Sequence, residues 1–185
     1  MIEGKNIILR TIKEKDLEEL FKLTNDLSER GEYLPLHLPS QPDFQKKFKE
    51  TGYWNEEYGR MLITDKAGSI LGDIIYFKND KYMQGYEIGY QIYKKENMGK
   101  GITSEALRIF SAYLFELKPI QRLEIIVNVN NIGSRKVAEK CGYKFEGVKR
   151  KAVFLRGTYQ DVDLLSLLRE ECPSLSEVLR YENIE

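Results

Sequence analysis

Cysteine and histidine are scarce in this chain. Two cysteines, Cys141 and Cys172, and one histidine, His37, among 185 residues cannot build a disulfide framework. No His/Cys/carboxylate cluster has metal-ligand spacing, so no metal is expected. Free thiols fit a reducing, cytoplasmic setting. Net charge is lacking too: 29 Lys+Arg balance 29 Asp+Glu, which gives no support to a nucleic-acid-binding domain. No apolar run approaches the roughly 20 residues that span a bilayer, so no membrane association is expected. The opening MIEGKNIILR has neither the apolar core nor the cleavage site of a signal peptide. Repeats and low-complexity segments are absent. What remains is a chain that is 42% apolar, enough for a sizeable core, and of a length that predicts a single domain over 1–185.

Periodicity predicts the elements. A strand over 6–12 leads into a helix from Glu14 to about Arg30, with Leu17, Leu20, Phe21 and Leu27 at helical spacing and Gly31 as its C-cap. GEYLPLHLPSQPD, with Pro35, Pro39 and Pro42, reads as an irregular connection. A short helix over 44–54 follows, then a hairpin of strands 59–65 and 70–78 around Lys66-Ala67-Gly68. YEIGYQIY alternates: Tyr86, Ile88, Tyr90 and Ile92 share one face, and Glu87, Gly89 and Gln91 the other. A helix to about Leu117, a strand over 123–129, a helix over 131–141 capped by Gly142, and strands over 143–151 and 160–169 complete the chain. This order implies a mixed α/β sheet.

Between strand and helix lies ENMGKGITSEAL, residues 96–107. A helix start carries unpaired N–H groups and partial positive charge. Glycines ahead of it let the backbone approach an anion, and Thr103 and Ser104 add hydroxyls. The arrangement suits a phosphate or pyrophosphate, although glycines that merely shape a turn would look the same. A P-loop is excluded because Ile102, not Lys-Ser/Thr, follows Gly101. The dinucleotide fingerprint fits poorly, with Ser104 at its third glycine position.

Almost the whole chain resembles the GNAT superfamily of acyl-CoA N-acyltransferases, in its ribosomal-protein-alanine (RimJ/RimL-like) branch. IILRTIKEKDLEELFKL is similar to that branch's first strand and helix, and YEIGY to its fourth strand. MGKGITSEAL is similar to its CoA pyrophosphate loop, NNIGSRKVAEKCGYKFEG to the segment after its fifth strand, and GTYQDVDLLSLLREE to its closing strand. The resemblance implies a mostly antiparallel central sheet flanked by helices. It implies an acetyl-CoA-dependent N-acetyltransferase acting on a primary amine, which could be a protein N-terminal α-amine. A small-amine (polyamine or aminoglycoside-like) acetyltransferase and a non-catalytic acyl-CoA-binding regulator are the alternatives. A homodimer is compatible with it.

The same resemblance implies roles. Backbone at Gln91, Ile92 and Tyr93, where two strands splay, would hold the pantetheine arm and donate to the oxyanion. Met98, Gly99, Lys100, Gly101, Ile102, Thr103 and Ser104 would hold the pyrophosphate, and Asn131 would flank the thioester. Glu87, on the polar face of its strand, is the expected base; an exposed strand carboxylate is the plainer reading. Ser134 is the expected acid toward the CoA sulfur; a first-turn serine satisfying helix N–H groups is its plainer reading. Ala138 stands where many relatives carry a tyrosine acid, so a tyrosine mechanism of that kind is not expected. Lys94, Lys95 and Lys100 are candidates for phosphate contacts or solvated surface. Tyr33, Tyr53, Trp54 and Tyr58 read as core or cleft wall, His37 as a solvated loop residue, and Cys141 as inert packing.

Overall fold

The computed structural model describes residues 1–78 and 85–184, with side chains through residue 180. Eight strands form one sheet: β1 (Ile2–Glu3), β2 (Ile8–Thr11), β3 (Tyr58–Thr64), β4 (Ile70–Lys78), β5 (Tyr86–Ile92), β6 (Arg122–Asn128), β7 (Lys144–Leu155) and β8 (Thr158–Leu168). Their spatial order is β1-β2-β3-β4-β5-β6-β8-β7, and every neighbouring pair is antiparallel except β5 with β6. The expected mixed, mostly antiparallel sheet is therefore present. Helices α1 (Leu17–Asn25) and α2 (Gln41–Thr51) accompany the first strands, and α3 (Ile102–Leu117), α4 (Ile132–Lys140) and α5 (Leu175–Ile184) come later.

Alternation along the strands divides the apolar residues between two cores. Leu9, Ile63, Ile74, Ile88, Ile125 and Leu165 pack with Leu107, Phe110 and Leu114 of α3. Ile12, Leu62, Ile70 and Tyr93 pack on the other side with Leu20 of α1 and Phe44 of α2. α3 is apolar over most of its circumference because it is the central helix of the larger core.

Several boundaries differ from the periodicity. The first helix ends at Asn25 instead of Arg30. Asp26 is extended, and its carboxylate accepts from Ser28 N–H at 2.9 Å and from the Ser28 hydroxyl, an Asx turn that competes with continued helix. Leu27 is consequently exposed, and Gly31 caps nothing. The second helix starts three residues before the predicted 44, because Ser40 accepts from Asp43 N–H and Pro42 is tolerated in a first turn. Gly52, left-handed, ends it. The last hairpin is longer than 143–151 and 160–169 suggested: β7 runs on through an irregularity at Lys151 to Arg156-Gly157, both at positive φ, the geometry of a tight two-residue hairpin turn. Helix α5 was not foreseen.

Glu105 ties the start of α3 to the first hairpin. Its buried carboxylate accepts from Asn6 N–H at 2.9 Å, Ile7 N–H at 3.4 Å and the Asn6 side-chain amide at 3.0 Å. Glu105→Ala would leave these donors without a partner. The expected loss is about 1–3 kcal/mol of unfolding free energy, measured as a lower denaturant midpoint at unchanged slope.

Candidate active site

The site is made by the one parallel contact in the sheet. β5 and β6 pair only at Tyr86↔Leu123 and Glu87↔Glu124 and then part. β5 continues along β4 to Ile92, while β6 follows β8 to Asn128. The gap between them is the floor of a cleft of about 850 Å³. Ile88 to Ile92 form one wall of this gap and Ile125 to Asn128 the other; Met98, Gly99 and Thr103 lie at one end, and Asn131, Gly133 and Ser134 of the α4 start also line it.

The backbone of β5 supplies unspent donors. Tyr93 N–H donates to Leu71 O at 3.0 Å, which sets the parity of the antiparallel ladder. Alternation then turns Gln91 toward β4 as well, and turns the Tyr90 and Ile92 N–H groups toward the gap. Of the segment Gln91 to Tyr93, only Ile92 therefore offers a free amide to the cleft, and Tyr90 adds a second.

The glycine turn is built as an anion cradle would be. Gly99 and Gly101 have φ of +73° and +80°, and an added Cβ at either would meet nothing within 4 Å. Their glycine identity therefore answers to backbone conformation and to the open space in front of them. Gly101 is the N-cap of α3 and no side chain caps that end, so the first-turn N–H groups of Ile102, Thr103 and Ser104 face the turn. Ser104 is buried and Thr103 half-buried; Lys100 is exposed, its ammonium 3.5 Å from Asn97 Oδ1. Lys95 is engaged elsewhere: its N–H donates to Glu29 and its ammonium to Ser28 O, pinning the loop after α1. Lys94 is exposed and does not line the cleft.

Glu87 stands at the vertex where the strands part, half-buried, just beyond the lining residues Ile88 and Gly89. Burial pushes its carboxyl up to about 7; Lys149 pulls the other way, and the Glu124 carboxylate opposite adds to the rise. Ser134 lines the cleft, with its N–H donating to Asn131 Oδ1 at 3.1 Å and its hydroxyl 2.9 Å from the Tyr90 hydroxyl. Asn131 thus serves as the N-cap of α4.

Loop residues 31–39 wall the opposite side. Arg30 donates to the carbonyls of Thr24, Pro35 and His37, Arg156 donates to Gly31 O at 3.0 Å, and Tyr33 donates to Asn130 O at 3.0 Å. His37 lines the cleft but is exposed. Tyr33 and Tyr58 line it as well, whereas Tyr53 and Trp54 pack in the cores. A second cavity of about 610 Å³ opens beside it and shares Glu32, Tyr33 and Asn128.

Two features escaped the sequence reading. Arg60 and Asp73, buried on adjacent strands, pair in the cleft wall, with the Tyr93 hydroxyl donating to Asp73 at 2.8 Å and Arg60 donating to that hydroxyl at 3.0 Å. Each charge interrupts an apolar run, GRMLIT and ILGDIIYF, which was the available signal. The second is the contact of the Tyr90 hydroxyl with Ser134, which the grouping of Tyr90 with Tyr86, Ile88 and Ile92 does not reveal. Cys141 does pack there, its thiol donating to Ser104 O at 3.3 Å.

A splayed parallel strand pair beside a glycine-led helix start is the arrangement expected of an acyl-CoA site. The profile of the acetyltransferase (GNAT) domain matches residues 6–144. The chain belongs to the GNAT acetyltransferases. It is similar to YdaF of Bacillus subtilis, provisionally named a ribosomal N-acetyltransferase, at 32% identity over 91% of this chain and 94% of that one. The ribosomal-protein-serine acetyltransferase of Escherichia coli is 28% identical over 70% of this chain and 73% of its own. A crystal structure of spermidine N-acetyltransferase from Vibrio cholerae in complex with CoA and spermine superposes with a TM-score of 0.76, at 20% identity, covering 90% and 97% of the two chains. These relatives place the chain among acetyl-CoA-dependent N-acetyltransferases, in agreement with the RimJ/RimL-like resemblance.

Because a ligand that binds only the folded state stabilises it, acetyl-CoA at 100 times its Kd should add about 2.7 kcal/mol and raise the Tm. Gly101→Val places a β-branched side chain at a left-handed φ in front of the α3 start. The shift should vanish in that variant while the free protein still melts cooperatively; an undiminished shift would remove the glycine turn from the binding site.

Proposed function

We propose that this N-acetyltransferase acts on the α-amine of a peptide or protein N-terminus, transferring the acetyl group directly within a ternary complex. The observation that carries the reading is the charge balance at the acceptor side of the cleft. Asp73 is matched by Arg60, which leaves Glu32 as the one acidic side chain there without a basic partner among the described residues. A polyamine brings two or more further ammonium groups and needs several unmatched carboxylates. A peptide terminus brings one amine, and Leu34, Pro35, Pro39 and Ile75 offer apolar surface to its first side chain. The adjoining cavity, with Asn128, Asn130 and Gln160, suits the peptide groups that follow. An α-amine also titrates near 8 against about 10.4 for lysine, so a far larger share is neutral at physiological pH. Glu32, which lines both cavities, and Asp161 of the adjoining cavity are the features that favour a polyamine instead.

In this reading the N–H groups of residues 102–104 and Lys100 hold the pyrophosphate, with Met98 and Gly99 against it. The Ile92 and Tyr90 amides face the pantetheine and the carbonyl, where a donor stabilises developing negative charge. Asn131 shapes the α4 start beside the thioester. Glu87 accepts the amine proton through a bridging water, since it stands beyond the lining side chains. Ser134 donates a hydrogen bond to the departing sulfur.

Mass spectrometry after incubation with acetyl-CoA and N-terminal peptides or spermidine is the deciding measurement. Acetylation of a peptide α-amine at far higher kcat/KM is the expected result; turnover of spermidine alone would overturn the peptide assignment, and an O-acetyl product the amine assignment.

The catalytic roles have their own test. Glu87 is a base only when ionised, so its contribution rises with pH through about 7. Glu87→Gln should lower kcat and abolish that limb, leaving only the limb of the amine near 8. Ser134→Ala removes one donor aimed at the developing charge on sulfur and should lower kcat on the order of 100-fold, with kcat/KM falling in parallel and acetyl-CoA affinity nearly unchanged. Unchanged pH profile and unchanged kcat would assign catalysis to positioning alone.

A further inference from the structure

We infer that Tyr90 is a positioning residue of the transfer reaction, its hydroxyl holding the Ser134 hydroxyl so that the serine hydrogen faces the departing sulfur. This rests on the role of Ser134 proposed above, but the geometry is separate. Tyr90 belongs to the helix-facing side of β5, and its ring packs against the main core. Its hydroxyl lies 2.9 Å from Ser134 Oγ and donates toward Ser134 O at 3.2 Å. Among the described residues it has no other hydrogen-bond partner, and Ser134 Oγ has none besides Tyr90. Both residues line the cleft. A phenylalanine would fill the same space against the core, so the hydroxyl answers to the serine and not to packing.

The contact has two hydrogen arrangements that share all heavy-atom positions. In the first, Tyr90 donates to the Ser134 carbonyl, Ser134 donates to Tyr90, and nothing is offered to the cleft. In the second, Tyr90 donates to Ser134 Oγ and the serine hydrogen is free to face the sulfur. As the C–S bond breaks and its electron pair moves to sulfur, the second arrangement is favoured, because it aims a donor at the new charge. It also strengthens that donor, since a hydroxyl that accepts one hydrogen bond gives a better one. Tyr90 keeps its proton throughout: burial pushes its phenol up to about 12. The thiolate takes its proton from solvent once it has left, so neither side chain ends the reaction ionised.

A double-mutant cycle in kcat tests this. Tyr90→Phe should lower kcat by about tenfold, the effect of one lost hydrogen bond of ordinary strength, with the KM for acetyl-CoA nearly unchanged. Tyr90→Phe placed on Ser134→Ala should cost nothing more, because the tyrosine acts only through the serine. Replacing Tyr90 by 3-fluorotyrosine keeps the shape and makes the phenol a stronger donor; kcat should stay at or above the parent value, which guards against a Phe variant that folds poorly. A lossy Ser134→Ala with a normal Tyr90→Phe, or losses that multiply in the double variant, would overturn the tyrosine inference and leave the serine role standing. A normal Ser134→Ala would overturn both.

Discussion

The site depends on a pairing that stops. A sheet that is antiparallel everywhere else admits one parallel contact, and that contact lasts two residues on each strand. Beyond Glu87 and Glu124 each strand stays bonded to its other neighbour, β4 or β8, so neither is free to close the gap. The unpaired inner edges are therefore held open by the hydrogen bonds on their outer edges. That is how a core strand can present bare N–H groups without leaving them buried and unsatisfied, since the cleft gives them solvent or substrate.

The same geometry places the electrostatics. Glu87 is removed from water because it sits where the strands are still joined, and the carboxylate of Glu124 opposite reinforces the rise caused by burial. In the cleft wall a buried carboxylate is instead paired: Asp73 lies beside Arg60, and the Tyr93 hydroxyl is hydrogen-bonded to both. One carboxylate is thus pushed up toward neutrality, and the other is engaged in an ion pair. Burial is what raises the first.

Local pattern made most elements legible. Alternation in YEIGYQIY, the run before Lys118-Pro119 and the glycine turn before α3 each correspond to an observed element. The boundaries that failed did so where side chains compete with the backbone, as Asp26 and Ser28 do at the end of α1, or where a proline that reads as a breaker stands in a helix's first turn, as Pro42 does. At the site, the glycine cradle was readable because its chemistry is local, one turn and one helix start. The contact of the Tyr90 hydroxyl was not readable because period-two alternation reports a face, and a residue on that face can be apolar at its ring and polar at its hydroxyl. Arg60 and Asp73 stood out singly as charges in apolar runs, but their pairing was not readable, because partners on neighbouring strands are joined by register, which no single segment encodes.

What the sequence determined by itself was most of the inventory: the longer strands, helices α1 to α4, the glycine turn and the family of the chain. Those follow from interactions within a few residues or from motifs in linear order. What only the tertiary structure decided was which groups meet. Burial where β5 and β6 are still joined raised the Glu87 carboxyl, with Glu124 opposite adding to it, Ser134 acquired Tyr90, and the loop at 31–39 became a wall through Arg30, Arg156 and Tyr33. Each depends on two distant segments being brought together and deprived of water, and desolvation is a property of the assembled sheet, not of any stretch of chain.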